Sequence, residues 1–429
     1  MNLNPDIVLW AALLGSLAIG CPIYISLGVA SLAALCFTSI PFTIVALDML
    51  KVMDMFPLIA VVGFIFAGAL MERGGMAQQI VDVAAVFVGR IPGGLGMTTI
   101  LGCMFFACMI GSGPGTAAAM GSIMIPTMIK RGYTKEYAAG VAATGGTLGL
   151  LIPPSNPMII YGIVGNVSIS TMFTAGFVPG FLLGFILMFT AYLIARRAGF
   201  KGSLEAVNIP LPTLLRRNFF SLFAPILILG SIYSGIATPV EASILAVFYA
   251  LLVGIFITKQ LKLPRFIEAI QLTNISAGSI IIILGVSTLF GRILTMQRIP
   301  HKVAELMLQI TSDPWHVLLL IGLLLLIVGM FMETLSTMVI LVPIFLPLVR
   351  QLGIDPIFFG IFWIVLNEIA LLTPPLGVNV FIVQRIADIS FERATLAVIP
   401  YVFVLLGFAF FLTLFPEIVL ILPRLLGMH

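Results

Sequence analysis

Two stretches of this 429-residue chain place backbone and hydroxyl groups where ions could be held. Thr147-Leu-Gly-Leu-Leu-Ile-Pro-Pro-Ser-Asn156 and Ala370-Leu-Leu-Thr-Pro-Pro-Leu-Gly377 each carry a Pro-Pro pair inside an apolar run. Proline has no amide hydrogen, so each one deprives the carbonyl four residues earlier of its helical partner. Freed carbonyls and helix C-terminal ends attract a cation such as Na+, and the N-terminus of the half-helix that resumes attracts an anionic group. Ser155 and Asn156 directly follow the first pair, whereas Thr373 precedes the second and Asn379 follows it. Gly111-Ser-Gly-Pro-Gly-Thr116 supplies Ser112 and Thr116 at another kind of break, where three glycines and a proline cannot continue a helix. Its counterpart near Gly329-Met-Phe-Met-Glu-Thr334 brings Glu333, Thr334 and Ser336.

The chemistry on offer is two quasi-equivalent cation sites flanking a central anion site. Ser112, Thr116, Ser155, Asn156, Thr334, Ser336 and Asn379 are the candidate substrate ligands. Taken singly, a Pro-Pro pair also reads as a structural kink, and each Ser or Thr as a group that satisfies a helix backbone or bridges two helices. Glu368 sits in an apolar run, either as a functional intramembrane carboxylate or paired with an arginine of the scaffold. Arg385 either snorkels to a membrane surface or clamps substrate.

These breaks lie in a chain that only a membrane can accommodate. It is 61% hydrophobic and 9% charged, against about 25% charged in soluble domains. That excludes a soluble enzyme, a nucleic-acid binder and a disordered scaffold. The four cysteines form no CxxC pair and suggest neither a disulfide framework nor a zinc site. Residues 1–10 contain no Lys or Arg, so the first apolar run reads as a membrane helix and not as a cleaved signal. No GxxxxGK[ST], HExxH or GxSxG motif is present, so neither ATP hydrolysis nor hydrolase chemistry is expected. The energy source is an ion gradient or a partner.

Apolar runs near 6–20, 22–39, 56–71, 172–195, 218–236, 239–258, 275–296 and 394–421 predict membrane helices of the ordinary kind. Segments 134–166 and 355–387 carry the Pro-Pro pairs, and 96–130 and 315–350 are too long for one span and interrupted halfway. The interrupted segments form matched pairs. The interval from Gly132 to Pro153 equals that from Gly353 to Pro374, and the interval from Pro154 to Pro179 equals that from Pro375 to Pro400. The expected fold is therefore an all-α polytopic membrane protein of two repeats, residues 1–195 and 218–429, joined by a cytoplasmic linker at 196–217. Each repeat holds a re-entrant helical hairpin and a Pro-Pro-broken helix. A hairpin that enters and leaves on one side makes the number of crossings odd, so the second repeat is inverted. With the linker inside, fifteen of the 21 Lys and Arg residues fall on the cytoplasmic side, and both termini lie outside.

Gly111-Ser-Gly-Pro-Gly-Thr-Ala-Ala-Ala-Met-Gly-Ser-Ile-Met-Ile-Pro126, Arg131-Gly-Tyr133, Ile152-Pro-Pro-Ser155, Ile160-Tyr-Gly162 and Thr373-Pro-Pro-Leu-Gly377 resemble the large membrane subunit of TRAP transporters, over nearly the whole chain. The pattern looks closest to the sialic acid branch of that family. The resemblance implies a Na+-driven importer of an organic acid in the bacterial inner membrane. It works with a small four-helix membrane subunit, here a separate chain, and a periplasmic substrate-binding protein, by an elevator movement of the hairpins and broken helices against a scaffold. It also implies two sodium sites, the first at Ser112, Gly115, Gly149, Ile152 and Pro154, the second at Gly329, Ala370, Thr373 and Leu376, mostly through main-chain carbonyls. Thr116 stands where many members carry Asp, so charge arguments made for that position do not transfer. The alternative is an ion and organic-anion transporter that needs no binding protein, and a membrane-embedded enzyme is the rival of another class. The inverted arrangement predicts that single cysteines placed at Lys130 and at Arg216 are labelled by an impermeant thiol reagent from one membrane face, and a cysteine at Arg350 from the opposite face.

Overall fold

The computed structural model describes residues 5–38, 40–200 and 211–428. Residues 201–210 of the expected linker, Lys201 among them, lie outside the described residues. Every element is helical. The chain begins with α1 (Pro5–Ala18), α2 (Ile23–Leu35), α3 (Thr43–Met53), α4 (Leu58–Arg73) and α5 (Met76–Val88). The next five helices are α6 (Gly94–Ile110), α7 (Gly113–Lys130), α8 (Lys135–Leu151), α9 (Asn156–Gly165) and α10 (Ile169–Arg197). After the short α11 (Leu211–Arg217) come α12 (Phe219–Tyr233) and α13 (Pro239–Leu252), the latter running on as one π-helical turn over Val253–Ile257. The chain then forms α14 (Leu263–Met296), α15 (Ile299–Ile310), α16 (Pro314–Gly329) and α17 (Thr334–Gln351). It ends with α18 (Pro356–Ala370), α19 (Val378–Ala387), α20 (Phe391–Leu414) and α21 (Glu417–Leu425). Among the described residues six helices, α8 with α9 taken as one, are long and apolar enough to cross a bilayer, or eight if α3–α4, bent by 53°, and α15–α16, bent by 120°, each count as one span.

Several boundaries depart from the sequence expectation for local reasons. The helix expected over 275–296 starts at Leu263, because nothing after Pro264 interrupts it, and its 34 residues make it about 50 Å long. The helix expected over 394–421 stops at Leu414: Pro416 disfavours helical geometry in Phe415, and α21 restarts after it. The amphipathic helices α5 and α15 lack the continuous apolar run on which spans were sought.

The two Pro-Pro-broken helices form the centre. Every residue of α8 from Tyr137 to Leu151 is buried, as is every residue of α18 from Ile357 to Ala370. A helix apolar all round must be enclosed by others, and the two do this with opposite chemistry. Small residues let α8 meet its neighbours at backbone distance: a Cβ at Gly146 would stand 2.5 Å from the Ala117 Cβ of α7, and one at Gly145 2.8 Å from the Cys103 sulfur of α6. In α18 the space is filled by Phe358, Phe359, Phe362 and Trp363, with Trp363 edge-on to Phe359.

Around this centre α6 and α7 form a hairpin. Thr99 near the start of α6 lies 4.0 Å from the Met128 sulfur near the end of α7, so the legs run antiparallel. On the outside, α4 packs on α13 and α14, and α14 packs on α2 and α3. An ion pair between Arg292 of α14 and the fully buried Asp48 of α3 ties these helices together. Removing one partner of such a pair strands the other charge in an apolar surrounding. Asp48→Ala is expected to lower stability by about 2 kcal/mol, the half-exposed Arg292 keeping the cost below that of a fully buried pair. Combining Asp48→Leu with Arg292→Met should recover most of the loss, as read from thermal unfolding in detergent.

Candidate functional site

Each hairpin tip is tied to one Pro-Pro break by main chain. In the first, α6 ends at Gly111, whose φ of +64° suits glycine, and a Cβ there would lie 2.5 Å from the Pro154 carbonyl. The Asn156 amide donates to the Gly111 carbonyl at 3.1 Å. In the second, the Leu376 amide donates to the Met330 carbonyl at 3.1 Å. The Pro153-Pro154 and Pro374-Pro375 bonds are both cis.

The two breaks settle their carbonyls differently. In the second, the Leu371 carbonyl accepts from the Asn379 amide at 3.2 Å and that of Ala370 from the Thr373 amide at 3.2 Å, while the Thr373 hydroxyl donates to the Ile369 carbonyl at 2.7 Å. In the first, the Ser155 hydroxyl donates to the Leu150 carbonyl, and Pro153 leaves the Gly149 carbonyl without an amide from its own helix. Gly149 also touches the hairpin: a Cβ there would be 2.5 Å from the Ser112 carbonyl oxygen and 2.7 Å from the Thr116 hydroxyl, which is fully buried and has no partner. Ser112 caps α7 by accepting from the Gly115 amide at 3.3 Å. Ser112, Gly115, Gly149 and Pro154 thus meet where tip and break touch, with Ile152 in the break itself. Gly329 lies against Ala370, with Leu376 tied to the adjoining Met330 and Thr373 between them in sequence.

A cavity of about 570 Å³ opens between the two tips and is walled by α2, α4 and α14. Of the candidate substrate ligands, Ser112, Asn156, Thr334 and Ser336 line it. Thr116, Ser155 and Asn379 do not: they are buried in the contacts between tips and breaks, and the Asn379 side-chain amide donates to the Ala143 carbonyl of α8 at 2.9 Å. Four helices start at this cavity: α7 at Ser112–Gly115, α9 at Asn156, α17 at Thr334–Ser336 and α19 at Val378. Their partial positive charges favour an anion. Among the described lining residues, the Asn156 side-chain oxygen has no partner, on a residue at least nine-tenths buried. Sequence reasoning missed the walls contributed from outside the hairpins, Glu72 of α4 and Ser276 and Ser279 of α14. The serine spacing on one helix face was the only signal for the latter.

Glu368 is fully buried and neither oxygen has a partner, so the pairing with a scaffold arginine is not formed; the intramembrane carboxylate that takes an arginine is Asp48. Arg385 is exposed and does not line the cavity.

Residues 10–418 match a family profile described as the DctM component of the tripartite ATP-independent periplasmic transporters. The chain is 39% identical to the isethionate TRAP transporter permease protein DctMQ of Oleidesulfovibrio alaskensis, over 94% of its own length and 64% of that longer protein. It is 37% identical to the sialic acid TRAP transporter large permease protein SiaM of Vibrio cholerae, over 96% of this chain and 97% of that one. To the C4-dicarboxylate TRAP transporter large permease protein DctM of Pseudomonas aeruginosa it is 36% identical, over 94% and 95%. Among solved structures, the YdaH transporter of Alcanivorax borkumensis shares the fold, with a TM-score of 0.63, 14% identity and 88% of each chain covered. Gly149→Ala would push a methyl group into the Ser112 carbonyl and part tip from break. The expected outcome is a loss of about 1–3 kcal/mol in thermal unfolding, without the aggregation that follows loss of the fold.

Proposed function

The chain belongs to the DctM family of tripartite ATP-independent periplasmic transporters, a large permease subunit of the inner membrane and not an enzyme, and on that premise we propose that it imports an organic acid in symport with Na+. The observation that carries this reading is the cavity at which four helix N-termini converge. It offers an acid group partial positive charge and hydrogen-bond donors in place of water, without covalent chemistry.

A carboxylate in that place is costly to desolvate, and cations bound beside it offset the cost. The two contacts between tip and break are where we place them. One Na+ is held by Ser112, Gly115, Gly149, Ile152 and Pro154, the other by Gly329, Ala370, Thr373 and Leu376. Two observations support the placement: the Ser112 carbonyl faces Gly149, and the main-chain ties draw each tip onto its break. The acid arrives on a periplasmic binding protein, and a small four-helix membrane subunit completes the complex. Sialic acid (N-acetylneuraminate) is our candidate substrate, from the motif likeness and the identity to SiaM. Movement is of the elevator kind: tips and breaks travel as one block past the walls formed by α2, α4 and α14.

Uptake into proteoliposomes holding both membrane subunits, with the loaded binding protein outside, tests this. Replacing Na+ by K+ is expected to abolish accumulation, and uptake indifferent to that exchange would remove the coupling. Ser112→Ala or Thr373→Ala should raise the Na+ concentration for half-maximal uptake several-fold.

A further inference from the structure

Beside the first hairpin tip stands a carboxylate for which the fold itself has no use. Ile65, Ala69 and Glu72 share one face of α4, and all three line the cavity. That face adjoins the tip, because α4 meets it at Gly68, where a Cβ would come within 2.9 Å of Ile110, and Ile110 leads directly into Gly111 and Ser112 of the same lining. No hydrogen bond or ion pair engages the Glu72 carboxylate among the described residues, and the adjacent Arg73 turns to Glu268 of α14 at 3.2 Å. No Lys, Arg or His lines the cavity among the described residues. In the last turn of α4, Glu72 also stands at the negative end of the helix dipole. The other lining carboxylate, Glu333, has a plain structural task, accepting the amides of Leu335 at 3.0 Å and Ser336 at 3.3 Å to cap α17. Glu72 lies at the end of α4 that meets the turn between α13 and α14, where Arg265 donates to the Arg73 carbonyl at 3.5 Å. That turn carries Lys259 and Lys262 as well, the charge pattern of a cytoplasmic loop.

We propose that Glu72 is a release element, a fixed negative charge on the cytoplasmic side of the site that weakens its hold on the acid and so speeds the acid's departure into the cell. The inference rests on the cavity being the substrate site and on the block moving past its walls, as argued above. Glu72 is only half-buried and faces the cavity, so water reaches its carboxylate and keeps it charged. Like charges close together in a site of low dielectric repel far more strongly than in bulk water. The helix N-termini that attract the acid belong to the tips and breaks and travel with it. Glu72 belongs to the wall, where α4 packs on α13 and α14, so its repulsion is felt only where the block brings the acid beside it. Glu333 travels with its own tip and acts alike in every position. A site equally tight at both ends of its travel would hold the acid back, because a low dissociation rate accompanies tight binding. A charge on the wall loosens it at one end only.

N-acetylneuraminate and isethionate, each tested alone, are the probes. Their binding to the purified pair of membrane subunits in saturating Na+, without the binding protein, is read by calorimetry. Glu72→Gln is expected to bind the acid at least about fivefold more tightly. Glu72→Asp, which keeps the charge, should show less than half of that gain. A residue that merely supports the fold does not raise affinity when it is replaced. Uptake into proteoliposomes with loaded binding protein in excess should run about threefold slower or worse in Glu72→Gln, because release is delayed. Glu72→Met, neutral and of similar length, is the second variant, and thermal unfolding shows which of the two has folded. Unchanged binding in the folded neutral variants would overturn the proposal and leave the transport assignment standing. So would weaker binding, the result expected of a carboxylate that gathers Na+, and so would tighter binding with undiminished uptake. Heat from neither acid in any of these proteins would overturn the cavity as substrate site and the release role with it.

Discussion

A polypeptide in hydrocarbon must satisfy its amides and carbonyls from within, because an unpaired group there costs several kcal/mol. This protein breaks four helices in its interior and meets that demand by folding the breaks onto one another. The Asn156 amide donates to the Gly111 carbonyl and the Leu376 amide to the Met330 carbonyl, so each hairpin tip accepts a hydrogen bond from the main chain at a Pro-Pro break. The constraint also explains the burial. The broken helices α8 and α18 lie wholly inside, sheathed by other helices, because their non-helical turns cannot face lipid.

The same economy yields a site. Where a helix restarts inside the protein, its first amides and its dipole point into the interior, and four such restarts surround one cavity. The arrangement is not symmetric. The first half caps its hairpin with a neutral serine, the second with a glutamate. The breaks differ in the same sense. The second satisfies its carbonyls with nearby amides, while in the first a hydroxyl takes one carbonyl and the Gly149 carbonyl is left for another partner. The two tips and the two Pro-Pro breaks thus carry unequal local chemistry.

The helices around the site pack in two ways. The glycines and alanines of α8 weld it to α6 and α7 at backbone distance, making the hairpin and first broken helix one unit. The long α14 packs on α2, α3 and α4, is tied to α3 by the Asp48–Arg292 pair, and presents Ser276 and Ser279 to the cavity.

Composition, the Pro-Pro pairs and the glycine-rich tip were legible because they report local physics. An apolar fraction of 61% demands a membrane, and a proline without an amide ends a helical bond wherever it stands. The candidate ligands Ser112, Asn156, Thr334 and Ser336 were readable for the same reason, being the residues at which helices restart. Which of the remaining polar groups face the cavity depended on contacts between segments far apart in sequence. Thr116, Ser155 and Asn379 spend themselves in the joints, and Glu72 enters the lining only because α4 packs beside the first tip, where a Cβ at Gly68 would come within 2.9 Å of Ile110. The partner of Arg292 was likewise undecidable along the chain, since Asp48 and Glu368 are both carboxylates in apolar runs and only the packing of α3 on α14 selects the first.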